Sequence, residues 1–160
     1  MKLIANLENN ELENLLGRFG IEINYIPDDA SIPGSYWGAP EAGIIKNILY
    51  IRGDTPVHSA LHESCHFICM DDERRQTLHT DTGGDYDEEN AVCYLQIILS
   101  NFLSDIDTDI ACKDMDDWGY TFRLGSAKQW FDSDAEDAFC WLVDKKLLTH
   151  NKTPTWTINL

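Results

Sequence analysis

The hydrophobic positions of this chain change period several times, and each change predicts an element. Leu12, Leu15, Leu16 and Phe19 fall on one helical stripe with Gly20 behind them, which predicts an amphipathic helix from about Asn9 to Phe19. Residues 21 to 26, Ile-Glu-Ile-Asn-Tyr-Ile, alternate apolar and polar as a half-buried strand does, and Pro27 ends the run. Residues 28 to 43 carry Pro33, Gly34, Gly38, Pro40 and Gly43 around Tyr36 and Trp37. They read as an ordered loop or irregular hairpin whose aromatics need a surface to pack on. Ile44 to Ile51, rich in Ile, Leu and Tyr, predicts a second strand.

Thr55 followed by Pro56 predicts an N-cap and the first position of a helix running to about Met70. An acidic segment, Asp71 to Asp87 with a turn at Gly83-Gly84, leads into a third helix that begins near Asp85 and continues through Ala91, Leu95, Ile98 and Phe102. Asp105 to Gly119 is expected as loop or short helix. Ser133 or Asp134 is placed to cap a last helix ending near Leu148, and Pro154 to Leu160 to add a short strand. The pattern as a whole predicts a single α+β domain over residues 1 to 160, with helices packed on a short sheet.

Composition narrows the partners. Apolar residues make up 43% and charged residues 25% of the chain, the balance of a soluble protein with one core. The formal charge of -16, from 28 acidic against 12 basic residues, repels phosphate backbones and anionic lipid, so neither nucleic acid nor a membrane surface is an expected partner. No apolar run approaches the roughly 18 residues of a membrane span, and the opening residues lack a signal-peptide pattern, so the expected location is cytoplasmic. Cys65, Cys69, Cys93, Cys112 and Cys140 are odd in number and scattered, which predicts reduced core residues rather than a disulfide framework.

Candidate chemistry concentrates on the second helix. His62-Glu63-Ser64-Cys65-His66 matches H-E-x-x-H, in which side chains four apart stand about 40° apart around a helix, so that two imidazoles can grip one ion. Glu63 then lies beside the ion, where a carboxylate can take a proton from an acidified water. At 100° per residue, Val57, Leu61, Cys65 and Ile68 occupy the apolar arc and both histidines border it, where a cleft would be.

A third ligand must come from His58, His79, Asp81, Asp85, Asp87, Glu88 or Glu89. Ala91, Leu95, Ile98 and Phe102 define the buried stripe of the next helix. Glu88 lies within about a quarter-turn of its centre, whereas Glu89 points away from it. A carboxylate facing inward is costly unless paired or bound to metal, so Glu88 is the expected ligand and Glu89 a solvated residue at the helix N-terminus. His58 is expected as a capping or surface histidine and Cys69 as a small buried residue. Arg74 and Arg75 are expected to pair with the acidic surface, and Trp118, Trp130, Trp141, Phe131 and Phe139 to belong to the core. His79, Tyr86, Tyr120, Arg123 and His150 are unranked candidates for stabilising an oxyanion.

The segment from Thr55 to Phe102 resembles the gluzincin metallopeptidases, in which a glutamate on a second helix, commonly followed three positions later by a small residue, completes the site. Glu88-Glu89-Asn90-Ala91, 22 positions after His66 (88 − 66), is similar to that form. The resemblance implies a small zincin-like fold, Zn2+ bound by His62, His66 and Glu88, and a metal-activated water attacking a peptide or amide bond with Glu63 as base. Where some gluzincins have an aspartate that orients a histidine ligand, this chain has Val92, so that role falls to another residue, with Asp81, Asp85 and Asp87 available.

Ser59-Ala60-Leu61-His62-Glu63-Ser64-Cys65-His66-Phe67, with Arg74-Arg75 beyond it and Tyr25-Ile26-Pro27-Asp28 before it, also resembles the elongation factor P hydroxylase family. That resemblance implies Fe2+ and oxygen-dependent hydroxylation of a protein side chain, for which two histidines and a carboxylate are an equally suitable donor set. A catalytically silent, metal-stabilised interaction domain would use the same residues.

Overall fold

In the computed structural model, which describes residues 1–160, three short strands form one mixed sheet. β1 (Glu22–Tyr25), β2 (Gly43–Ile45) and β3 (Ile48–Ile51) lie in the order β1-β3-β2. β3 runs parallel to β1, with Glu22 opposite Ile48, and antiparallel to β2, with Ile44 opposite Leu49. The apolar run from 44 to 51 is therefore a hairpin and not one strand. Lys46, at φ 52°, and Asn47 are its only polar break, and they make the turn. Ile44, Leu49 and Ile51 are fully buried.

Seven helices complete the domain: α1 (Glu11–Gly17), α2 (Val57–Cys69), α3 (Asp72–Gln76), α4 (Tyr86–Ser100), α5 (Thr108–Trp118), α6 (Ala127–Ser133) and α7 (Glu136–Asp144). This is the α+β single domain that the hydrophobic pattern predicts. α2 packs against β2 and β3 and also against α4, which in turn packs on α5 and α7. α4 is the buried spine, with Ala91, Val92, Cys93, Tyr94, Leu95, Ile97 and Leu99 all inside. No helix is long and apolar enough to cross a membrane.

Several elements differ from the sequence expectation for physical reasons. The stretch expected as loop or short helix contains α5, capped by the Asp107 side chain on the Ile110 N–H and ended by Gly119 at φ 112°. Its acidic exposed face hides a narrow buried stripe of Ala111, Cys112 and Met115. α3 is too short to show a period and is signalled only by its Asp71 cap on Arg74 N. The last expected helix is α7, which ends at Asp144 and not near Leu148; α6 before it is not among the expected elements, and the tail contributes one bridge, Leu148 with Pro154, in place of a strand. Four cysteines are buried and Cys140 is exposed; all five are free.

The ends of α2 matter most for the site. Thr55 is not its cap: the Thr55 hydroxyl accepts from Arg52 N in the preceding turn, and Val57 N–H is satisfied by the Lys2 carbonyl. At the other end, helix geometry leaves the last four carbonyls without partners. Arg75 donates to those of Phe67 and Met70, Asn159 N–H to that of Ile68, and Asn159 Nδ2 to that of Cys69. Arg75 is thus an interior residue, 5% exposed, which keeps one contact to the acidic surface, Nη2 to Asp72 Oδ1 at 3.4 Å.

Candidate metal centre

α2 and α4 pack antiparallel, so that residues later on α4 meet residues earlier on α2. Glu89 meets His66 and His62, and Gln96, two turns on, meets His62 and His58. The Nε2 atoms of His62 and His66 are 3.2 Å apart, and the Glu89 carboxylate presents one oxygen to each, at 3.1 Å and 3.0 Å. These three side chains form the one group of histidine, cysteine or carboxylate atoms in the chain arranged to hold a metal ion.

Glu88 is not part of it, and the expected ligand set is corrected here. The Glu88 side chain does face inward, 7% exposed, as helical phase requires. Its carboxylate is taken by the Arg74 guanidinium, Nη1 to Oε1 at 2.8 Å and Nη2 to Oε2 at 2.9 Å. An inward carboxylate needs a partner; phase finds such a carboxylate but not which partner it has. The centre lies where the apolar stripe meets solvent, the border already occupied by the histidines, and Glu89, half exposed, sits on that border.

The donors fit a divalent cation. The Gln96 amide nitrogen faces the His58 carbonyl at 3.4 Å, which can only accept, so Gln96 Oε1 is the atom that meets His62 Nδ1, at 2.7 Å. His62 Nδ1 therefore carries a proton, and Nε2 is left to face His66 and Glu89. Two imidazole nitrogens and a carboxylate crowded within 3.2 Å repel one another unless a proton or a cation lies between them. Ligands held about 2.0 to 2.2 Å from one ion stand roughly 3 to 3.6 Å apart, and the spacings found, 3.0 to 3.2 Å, lie at the close end of that range. Burial opposes ionisation of Glu89, but the neighbouring imidazoles of His62 and His66 outweigh it and hold the carboxyl well below the ordinary range.

The triad opens into a cleft of about 540 Å³. Its walls are the loop carrying Tyr36, Trp37 and Glu41, the segment from Thr80 to Gly83, and Trp118 to Tyr120. The first wall is tied down where Ala42 N donates to Ser59 Oγ and Trp118 Nε1 to Glu41 Oε1, at 3.0 Å and 2.7 Å. Gly43 lets it approach β2, because a Cβ there would lie 2.0 Å from the Pro33 carbonyl oxygen. The second wall is anchored by Arg74, which donates to the Thr82 carbonyl as well as to Glu88. Trp118, expected in the core, is instead a cleft residue, as are the exposed Tyr36 and Trp37.

Glu63 lines this cleft beside His62, and burial, aided by the Glu41 and Glu89 carboxylates against the pull of His62, pushes its carboxyl up to about 7. His58 is neither a ligand nor a surface residue. It is 6% exposed, and burial with His62 nearby pulls its imidazole down to about 4. Its Nδ1 pairs with the Tyr120 hydroxyl at 3.2 Å.

Among the oxyanion candidates, only Tyr120 borders the cleft; His79, Tyr86 and His150 are exposed elsewhere, and Arg123 pairs with Asp134. Asp85 caps α4 on Glu88 N, and the residue hydrogen-bonded to the far nitrogen of His62 is Gln96, not Asp81, Asp85 or Asp87. The signal for Gln96 was present: it is the lone polar residue in the apolar run from Ala91 to Leu99, two turns past Glu89. Comparison of the chain with models of known protein families, with curated proteins and with solved structures finds no match.

Proposed function

We propose that the chain is a metal-dependent hydrolase of the zincin type, acting on a peptide or amide bond, with zinc held by His62, His66 and Glu89 and with Glu63 as general base. One observation carries this reading: three converging donors and the carboxylate of Glu63 line one open cavity. A bound divalent ion supplies Lewis acidity, polarising a carbonyl and lowering the pKa of a coordinated water toward neutrality. Glu63, which lines the same cleft beside His62, would be the residue to take that proton and return it to the departing nitrogen. The lining includes Glu41, Glu63, Asp81 and Glu89 but no Lys or Arg, which disfavours anionic substrates.

A second reading rests on the same donor set. Two histidines and a carboxylate with an open side also suit Fe2+ in an oxygen-dependent hydroxylase of a protein side chain, as the resemblance to the elongation factor P hydroxylase family implies. A silent, metal-stabilised interaction domain has no use for a cleft beside Glu63, so the cavity speaks against it.

The deciding experiment measures zinc and iron in protein purified without added metal, then assays the zinc-loaded chain on a pooled set of fluorescence-quenched peptides. Cleavage by the native chain and none by a zinc-loaded Glu63→Gln variant is expected. Equal cleavage by both would refute the role of Glu63. Iron as the resident metal, with oxygen consumption and no cleavage, would replace the hydrolase reading with the hydroxylase one.

A further inference from the structure

Gln96 is 2% exposed, on a helix whose Ala91, Val92, Leu95, Ile97 and Leu99 are also buried. A buried amide is costly unless its donors and acceptor are used, and this one uses both ends on α2. Its nitrogen is directed at the His58 main-chain carbonyl and its oxygen at His62 Nδ1. Turning the amide over would set oxygen against a carbonyl oxygen, so the orientation is fixed by the helix backbone and not by the histidine.

We infer that Gln96 is a positioning residue for the metal centre: it commits His62 to the tautomer with the proton on Nδ1, and so to binding a divalent ion through Nε2. The inference rests on the metal-binding part of the reading above. The two histidines are unequal in this respect. His66 Nδ1 is buried with no partner, so nothing hydrogen-bonds that ring on the side away from the metal site, whereas the His62 ring is held there by a 2.7 Å bond. Partners of the second ring nitrogen in metal sites are often carboxylates, which add negative charge. An amide orients the ring without that charge, leaving Glu89 as the sole anionic ligand, so a bound divalent ion keeps a net charge of about +1 and more of its Lewis acidity.

The test uses the full chain, Zn2+ as the probe, and the variants Gln96→Ala, Gln96→Met and Gln96→Glu. Zinc affinity, measured by competition with a chromogenic chelator, is expected to fall about 10- to 100-fold in Gln96→Ala and Gln96→Met. It should be partly restored in Gln96→Glu, which offers an acceptor for the Nδ1 proton but sets its second oxygen against the His58 carbonyl. Native affinity in Gln96→Met, or affinity in Gln96→Glu as low as in Gln96→Ala, would overturn the inference. A second measurement needs no variant: in the 15N-labelled, zinc-loaded native chain, long-range 1H–15N correlation should show the His62 proton on Nδ1, and a proton on Nε2 would refute the assignment. If the native chain binds no zinc or other divalent ion, the metal centre itself fails and this inference with it. Zinc binding that ignores residue 96 refutes the role of Gln96 alone.

Discussion

Arg74 holds Glu88 through both carboxylate oxygens, and this pair decides which of two adjacent glutamates is left for the histidines. Glu89→Ala is therefore expected to weaken zinc binding by at least about 100-fold, more than loss of a residue outside the ligand set. Glu88→Gln should keep zinc affinity within a few-fold while destabilising the fold by about 1 to 3 kcal/mol, because it leaves the guanidinium poorly matched. Chelator competition and thermal melts on both variants check the pair. Loss of zinc in Glu88→Gln with retention in Glu89→Ala would reverse the assignment.

The centre couples metal to stability. An ion that binds the folded chain alone adds about 2.7 kcal/mol at one hundred times its dissociation constant, a rise in Tm of about 5 to 10 °C for a chain of this size. Zinc is expected to raise Tm by that amount, EDTA to reverse the rise, and His66→Ala to abolish it. A zinc-dependent shift that persists in His66→Ala would place the ion elsewhere.

The wall carrying Trp37 depends on the absence of a side chain at residue 43. A Cβ there would meet Ser35 N at 2.5 Å and the Pro33 carbonyl oxygen closer still, so Gly43→Ala must displace main chain and should cost about 1 to 3 kcal/mol. Gly17→Ala, with nothing within 4 Å of the added methyl in α1, serves as the control and should be neutral or slightly stabilising. Equal melting temperatures for the two variants would contradict the close approach.

His58 predicts a pH dependence with a definite sign. Its folded-state pKa of about 4 lies below the ordinary 6.5. Above pH 6.5 the imidazole is neutral in both states. As pH falls from 6.5 to 4 the unfolded chain takes up a proton that the folded chain does not, so stability falls with pH and levels off below about 4. Lys2 and Asp114 share the small internal cavity with His58, and Tyr120 and His62 face it from the cleft side. Urea melts of metal-free protein across this window should give a shallower slope for His58→Gln than for the native chain, and an identical slope would sink the prediction.

What could be read in the sequence was whatever depends on near neighbours along the chain. The helix bearing His62 and His66, its border position beside the apolar arc and the α+β class all follow from periods of two and 3.6 residues. The choice between Glu88 and Glu89 did not, because it turns on Arg74, 14 residues earlier and on another helix. The split of residues 44 to 51 into a hairpin was hidden by an apolar run with only two polar residues to mark the turn, and α5 by the acidic face it presents to solvent. Gln96 was visible as an anomaly but not as a partner of His62, since that pairing needs the antiparallel packing of α2 on α4.

The four closing carbonyls of α2 are all held from outside the helix, by Arg75 of the next helix and by Asn159, 90 residues on from Cys69, so this helix cannot fray one residue at a time from its C-terminal end. Opening the turn that contains His66 requires the chain near residue 159 to let go first. The amides of residues 66 to 70 should therefore exchange with deuterium only through large-scale unfolding, and the spacing of the histidine pair is latched by the segment around Asn159.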